Sequence, residues 1–547
     1  MIDRERRPSS ARRTPGEVAV PVALLAVALA LRVVATWLLP NRIWPDEVFQ
    51  TVEPAHGLAF GTWLPTWEWV VGIRSWLIPA VLAPALWIAG MLDPGRHFGT
   101  APVTALMLAV SLAPVAVGYL WGQRAGGRSG GLVVGGVCAV WVDLIYVAPH
   151  PLTDTFVSHM LLIALYAAFA NPRSSNDRHL MVAGALFALT VYLRMQLGPA
   201  IAVAALMAGR AERSRWRALI TGGAPTLLVL GGLDWVTLGT PFQSIWLNFY
   251  YNIIAQVSST YSTEGLLFYF SGLAAIWGVA SGPMLILLYF GAKRCPPLFW
   301  VSIAIIATQS LVAHKEWRFI FPAIAPLITL CGLQIAACLP AVEARLTRIG
   351  WPREIAVALC VALVCSTSAM LSAAPIYRAL WNRNRDIVDS FDLIARQPGV
   401  CGVGTLFRSG RADTPESYSW VDGKGSAALG RGIPQYAALP ADNWRSTASY
   451  NWAVIVSPAP SPPEPFHLSG CFGGETLFAG IRAERACVWT RPGPCDPTRA
   501  TPPAINWPAY FVDPQGALRR DRLQPKFLGM TPQLHYVSRD LTAAEGR

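Results

Sequence analysis

Charge is scarce in this chain. Only 14% of its 547 residues are Asp, Glu, Lys or Arg, against 53% hydrophobic, and the mean hydropathy is +0.39. An ordinary soluble domain carries about a quarter charged residues, so a single soluble globule is excluded. Other absences narrow the field further. No Gly-rich loop follows a strand, which argues against a nucleotide-sugar donor held on a Rossmann-like domain. No DxD-type pair stands in an outer loop to hold a divalent metal, although Asp46-Glu47 could still ligate one, and no Cys/His spacing suits zinc; no cofactor is expected. No internal repeat of the kind found in many secondary transporters is present. Cations exceed acids, 44 to 32, for a net charge of +12. They sit in short loops and in the N-terminal tail, which is not a nucleic-acid signal.

What is present is a series of apolar runs near the ~20-residue length that crosses a bilayer. Spans are expected near 18–39, 101–121, 131–148, 156–170, 180–193, 197–209, 218–236, 265–290, 297–312, 318–338 and 354–371. Arg4, Arg6, Arg7, Arg12 and Arg13 precede the first run, and no clear cleavage site follows it, so it reads as a retained signal-anchor behind a cytoplasmic basic tail (1–17). Under the positive-inside rule the Arg-rich loops at 124–128, 173–178, 210–217, 293–294 and 345–353 fall inside. The loops holding Asp46-Glu47, Asp154, 237–264 and 314–318 then fall outside. The apolar stretch 76–92 would invert this pattern if it crossed, so it is expected to lie along the interface, helped by Pro79 and Pro84.

After Leu371 the composition turns Pro-, Gly- and Arg-rich. A helix near Arg385–Ala395 and strand-like runs at Val400–Leu406, Trp452–Val456 and Ala486–Trp489 predict a small extracytoplasmic α/β domain over 373–547. Cys401, Cys471, Cys487 and Cys495 all fall there, in a compartment that permits oxidation. They allow three pairings. Cys487 and Cys495 flank the turn Arg491-Pro492-Gly493-Pro494, which favours that pair.

The first outer loop, about 40–100, carries chemistry. Trp44-Pro45-Asp46-Glu47 places adjacent carboxylates beside a Pro that disfavours helix in the residue before it. The segment is expected to be extended, with Asp46 and Glu47 pointing opposite ways. Glu53, His56, Trp67, Glu68 and Arg74 follow. Acidic, aromatic and cationic side chains together suit sugar chemistry, although the same tryptophans fit an interfacial belt. A carboxylate in reach of an acceptor hydroxyl is a fit base, and Asp46 is the first candidate with Glu47 second. His314, Lys315 and Arg318 cluster with Glu316 in another outer loop. They suit a leaving phosphate, which gains from charge-assisted and bidentate hydrogen bonds; snorkelling at the boundary is the plain alternative. Asp154 fits either a cavity wall or a helix N-cap. Arg194 fits either a substrate site or a headgroup pair.

The run IWPDEVFQTVEPAHGLAFG, followed by TWEWVVGIRSWLIP, resembles the first extracytoplasmic loop of glycosyltransferase family 22, the lipid-linked mannosyltransferases of glycosylphosphatidylinositol and N-glycan assembly. His314-Lys315-Glu316-Trp317-Arg318-Phe319 is similar to its HKExRF element. TPFQSIWLNFYYNI (240–253), which contains Asn248 and Tyr251, resembles a third, weaker block. Trp44 stands where the family usually has His. The resemblance implies a GT-C fold of about eleven spans plus interfacial helices over 18–372. It also implies a polyprenyl-phosphate (dolichol-type) mannose donor, a metal-independent inverting transfer and Asp46 as base. Asn248 is a further substrate-binding candidate, and Tyr251 could stack on sugar or isoprenoid, though an aromatic belt is the commoner cause.

The reading is a polytopic α-helical membrane mannosyltransferase whose acceptor is a lipid-linked or cell-envelope glycan. Ala-, Arg-, Gly- and Trp-heavy usage without an ER-retention tail points to a bacterial plasma membrane, or to the ER if the source is eukaryotic. A GT-C enzyme moving arabinose or glucose is the nearer alternative. A lipid-linked glycan flippase is the further one, though it would want charged groups near the midplane and broken helices.

Overall fold

The computed structural model describes residues 15–42, 44–61, 63–92, 99–170, 177–352, 354–408, 418–419, 433–437, 445–456, 460–474, 476–478, 481–482, 485–499, 507–513 and 518–532. Most of the expected basic tail lies outside the described residues. The apolar runs are helical. Helix α1 (Pro15–Leu38) leads into a loop that is itself helical, with α2 (Glu53–Phe60), α3 (Trp67–Val71) and α4 (Leu77–Leu92). Then come α5 (Ala101–Val110), α6 (Ala113–Val140), α7 (Val142–Tyr146), α8 (Thr153–Phe169), α9 (Asp177–Leu193) and α10 (Gly198–Gly209). The set closes with α11 (Arg213–Leu238), α12 (Gln243–Phe249), α13 (Phe268–Trp277), α14 (Ser281–Arg294), α15 (Pro296–Leu311), α16 (Phe321–Arg348) and α17 (Glu354–Ser372). Among the described residues, six helical stretches are long and apolar enough to cross a bilayer. They make the chain a multi-pass membrane protein.

Close packing explains where glycine is required. The segment α6 is a hairpin that reverses at Gly126-Gly127, where Gly127 has φ +64°. Its two arms press together so tightly that a Cβ on Gly122 would collide with the Gly130 carbonyl. Helices α9 and α11 meet in the same way, backbone against backbone, at Gly184 and Gly222. Helix α16 is the central post, buried along most of its face from Phe321 to Leu339 against α6, α8, α14 and α15.

Local backbone refines these expectations. The run expected at 131–148 stops at Val140, because Trp141 is extended (ψ 128°) and a separate short helix, α7, follows. The run expected at 265–290 is one candidate span, Phe268–Arg294, that bends at Gly278 (φ +46°) between α13 and α14. The Trp44–Glu47 segment is not extended. Pro45 opens a helical turn, as Pro is well suited to do in a first turn, and Asp46 continues through a π-helical stretch, Val48–Val52, into α2. The segment 76–92 is helical as α4 and packs on α2 and α5.

Beyond α17, α18 (Pro375–Trp381) leads to α19 (Arg385–Ala395), an amphipathic helix whose apolar side lies on a sheet. The described strands are β1 (Val403–Arg408), β2 (Tyr418–Ser419), β3 (Gln435–Ala437), β4 (Trp452–Val456), β5 (His467–Gly473), β6 (Thr476–Phe478), β7 (Ile481–Arg482) and β8 (Arg485–Thr490). The main sheet runs β2-β1-β4-β8-β5, with β3 and β4 both parallel to β1 and β8 antiparallel to β4 and β5. This is the expected small α/β domain.

Its cysteine pairing differs from expectation. Cys471 on β5 faces Cys487 on β8 in register, and the two are bonded. Cys495 bonds Cys401 instead. The sheet register decides this, since it commits Cys487 to its cross-strand neighbour before the turn at 491–494 can matter.

Candidate active site

A cavity of about 400 Å³ opens between the first loop, the 243–261 loop and the start of α16. Asp46 lines it because the helical turn after Pro45 turns its carboxylate inward to the cavity, 25% exposed. One Asp46 oxygen accepts from Gln50 Nε2 at 2.5 Å, one helical turn along. The other is ion-paired with Arg318. Glu47, next in sequence, faces the other way and is fully buried. Its Oε2 meets His150 Nδ1 at 2.7 Å and Arg42 Nη1 at 3.4 Å, and its Oε1 accepts from the Trp44 amide at 3.1 Å. The two carboxylates therefore diverge, as expected, but through helical rather than extended geometry.

Arg318 sits on the 3₁₀ turn Trp317–Ile320 just before α16. Its Nε donates to Glu316 Oε2 at 2.5 Å, and its guanidinium lies 5.6 Å from the Trp44 ring centroid. The Trp at position 44 thus offers this cation an aromatic face. Glu316 Oε1 meets His314 Nε2 at 3.1 Å, while His314 Nδ1 lies 3.0 Å from the Ser262 carbonyl. Nδ1 also lies 3.2 Å from the Ser262 hydroxyl, so the ring is held at both nitrogens. Burial would lower the His314 pKa, but Glu316 outweighs it and raises it. Burial likewise pushes Glu316 up, yet Arg318 and His314 together hold it down at about 2.

Two further pairs complete the wall. Arg194, at the break between α9 and α10, pairs with Asp154 in the first turn of α8, and Arg74 Nη2 meets Glu68 Oε1 at 2.5 Å. Four carboxylates therefore face three guanidiniums and the His314 ring. Each cation is already paired, so an incoming anion must compete for it. Asp46 is distinct within this set. Burial, reinforced by Glu68 and Glu316, pushes it up to about 6 against the opposing pull of Arg318. That value suits a base working near neutrality.

Asp46, Trp67, Glu68, Arg74, Asp154, Arg194, Asn248, His314, Glu316 and Arg318 all line this cavity. Five other candidates do not, and their sequence assignments are corrected. Lys315 turns into the protein, where Nζ donates to the carbonyls of Val312 (2.5 Å) and Glu264 (2.8 Å), closing the end of α15. Glu47 lies behind the wall. Glu53 is buried, accepting from the Leu64 amide at 2.8 Å, and His56 is buried edge-on to Phe60. Tyr251 is buried, with its hydroxyl donating to the carbonyls of Arg522 and Leu523.

The cavity also includes Gln50, Gln196, Asn252, Ser258, Tyr261 and Gln309, which sequence reasoning left out. Gln50 was detectable: four residues after Asp46, it shares Asp46's face once the segment is helical. Among the described residues no group of three or more His, Cys, Asp or Glu is placed to hold a metal ion.

Comparison with known proteins finds related chains and a shared fold. The sequence pattern of the Alg9-like mannosyltransferase family matches residues 23–401. GPI mannosyltransferase 3 of Yarrowia lipolytica is 28% identical over 404 residues, covering 71% of this chain and 73% of that protein. Human GPI alpha-1,2-mannosyltransferase 3 is 26% identical over 337 residues, 60% of each chain. Among solved structures, ArnT from Cupriavidus metallidurans bound to undecaprenyl phosphate superposes with a TM-score of 0.52 at 14% identity, covering 87% of this chain and 98% of that one. At that identity the likeness establishes the GT-C fold.

Proposed function

Since the chain belongs to the Alg9-like mannosyltransferase family, we propose that this cavity transfers mannose from a polyprenyl-phosphate (dolichol-type) donor to a hydroxyl of a lipid-linked or cell-envelope glycan. The observation that carries the reading is Asp46, a carboxylate with its pKa pushed up to about 6, ion-paired with Arg318 in a cavity that also holds Arg194 and His314. The acceptor hydroxyl oxygen attacks the anomeric carbon from the face opposite the phosphate and its proton passes to Asp46. The bond from the anomeric carbon to the phosphate oxygen breaks, and the lipid phosphate leaves with that electron pair. The configuration inverts, from a β-linked donor to an α-mannoside. Donor phosphate competes with Asp46 and Glu316 for Arg318, whose planar fork suits bidentate contact. Charge developing on the leaving phosphate is stabilised by Arg318, with Arg194 and His314 beside it.

The distribution of cations among the loops and the residue usage favour the extracytoplasmic face of a bacterial plasma membrane, or the ER membrane if the source is eukaryotic. The test is direct. Membranes containing the protein are incubated with purified polyprenyl-phosphate mannose, arabinose or glucose and candidate glycan acceptors, and the product is sequenced. Mannose added in α linkage supports the reading. Transfer of only another sugar replaces the donor, and translocation without any new glycosidic bond refutes the enzyme.

A further inference from the structure

The C-terminal segment, outside the span matched by the family pattern, reaches the back of the cavity wall. Phe511, fully buried, lies 5.2 Å ring to ring from both Trp67 and Tyr251. The Tyr251 hydroxyl donates to the carbonyls of Arg522 at 2.8 Å and Leu523 at 3.2 Å. Arg522 folds back on Tyr510, and Phe527 packs against Trp246 and Tyr250. Two described stretches, 507–513 and 518–532, thus form a strap that grips both α3 and the 243–261 loop. Phe511 does not line the cavity, but Trp67 does, and the Trp67 Nε1 donates to the Tyr261 hydroxyl at 3.0 Å on the same wall.

We propose that this strap is the positioning element for the acceptor side of the cavity, with Phe511 acting through Trp67. The wall it backs presents Trp67, Asn248, Asn252, Ser258 and Tyr261, a stacking face with amides and hydroxyls. That chemistry fits a hydroxylated glycan, since an aromatic face packs on apolar surface while the polar groups fix orientation. Arg318 and Arg194, which suit a phosphate, stand on the turn before α16 and at the α9–α10 break, whereas His314 is tied to the 243–261 side through Ser262 and Tyr261. The strap therefore sets acceptor binding while leaving Arg318 and Arg194 on the donor side in place. The assignment of the two sides rests on the transfer reaction proposed above.

The experiment uses the full chain. Phe511→Ala is expected to raise the acceptor KM roughly tenfold with kcat within about threefold and donor affinity unchanged. Backbone amides at 66–71 and 257–261 should exchange hydrogen faster. Phe511→Leu should restore most of the acceptor affinity. Equal losses in donor and acceptor binding, or an unchanged acceptor KM, overturn the proposal. If Phe511→Ala does not accumulate as folded protein, Tyr251→Phe removes the two ties to the strap without emptying the core; the same KM change is expected, and a wild-type KM overturns it. Hydrogen exchange does not depend on the substrate. Should the wild-type chain transfer no mannose, the proposed function fails by itself, while unchanged protection at 66–71 in Phe511→Ala still refutes the strap.

Discussion

Asp46 works between two opposed influences. Burial and two neighbouring carboxylates raise its pKa, while Arg318 favours its charge. A base must be ionised to accept a proton. For Asp46 as the proposed base, activity is therefore expected above a pKa of about 6 and lost as pH falls through that value. The acidic limb of kcat/KM should bend near pH 6, and a limb lying in the ordinary carboxylate range would contradict the environment described. Asp46→Asn keeps the shape but not the basicity, so turnover should drop by about 10²–10⁴-fold with insertion and donor binding retained. Glu47→Gln should cost less, because Glu47 holds Arg42 and His150 behind the wall rather than facing the cavity. Near-normal transfer by a folded Asp46→Asn protein would remove the assignment. Lys315 makes the contrast. Its ammonium donates to the carbonyls of Val312 and Glu264, so Lys315→Met should lower stability by about 1.5–3 kcal/mol, the range for hydrogen bonds to charged groups, and leave donor affinity intact. Denaturation and donor titration on the same variant separate these outcomes.

At the scale of elements, strand register and helix contact override what neighbouring residues suggest. Cys487 and Cys495 flank a turn, yet β8 pairs with β5 and brings Cys487 to Cys471. Mass mapping of unreduced peptides should recover Cys471–Cys487 and Cys401–Cys495, and a Cys487–Cys495 peptide would contradict the sheet. The two bonds close loops of 16 and 94 residues. On the loop-entropy account such bonds contribute about 3 and about 4.7 kcal/mol respectively. Replacing Cys401 and Cys495 by Ser should therefore lower the melting temperature more than replacing Cys471 and Cys487. The expected helix at 385–395 and three of the expected strands were legible because their apolar periodicity faces a core. The cross-strand partner was not, since pairing between distant segments leaves no mark in local pattern.

For the whole molecule, the open quantity is orientation. The cation distribution puts the loop before α11 inside and the C-terminal domain outside. Ser214, in the first turn of α11 beside that loop, and Ser461, in that domain, are both exposed. With Cys138, Cys295, Cys331, Cys338, Cys360 and Cys365 replaced and both disulfides kept, an impermeant thiol reagent should label Ser461→Cys and spare Ser214→Cys in intact cells. The reverse pattern would turn the molecule over and move the cavity to the cytoplasmic side.

The sequence by itself determined the membrane class, the helical runs and the loop that holds Asp46, because hydropathy and short motifs are local properties of the chain. It also pointed to Arg318, whose cluster with His314 and Glu316 is contiguous. Tertiary structure alone decided the rest. It turned Glu47 and Lys315 away from the cavity, brought Gln50 onto Asp46 through a helical turn, and joined Asp154 to Arg194. It also carried the C-terminal segment back onto Trp67. Each of these depends on which way a side chain points or on contact between segments far apart in the chain. Neighbouring residues do not encode such contacts, because the packing of the whole fold selects them.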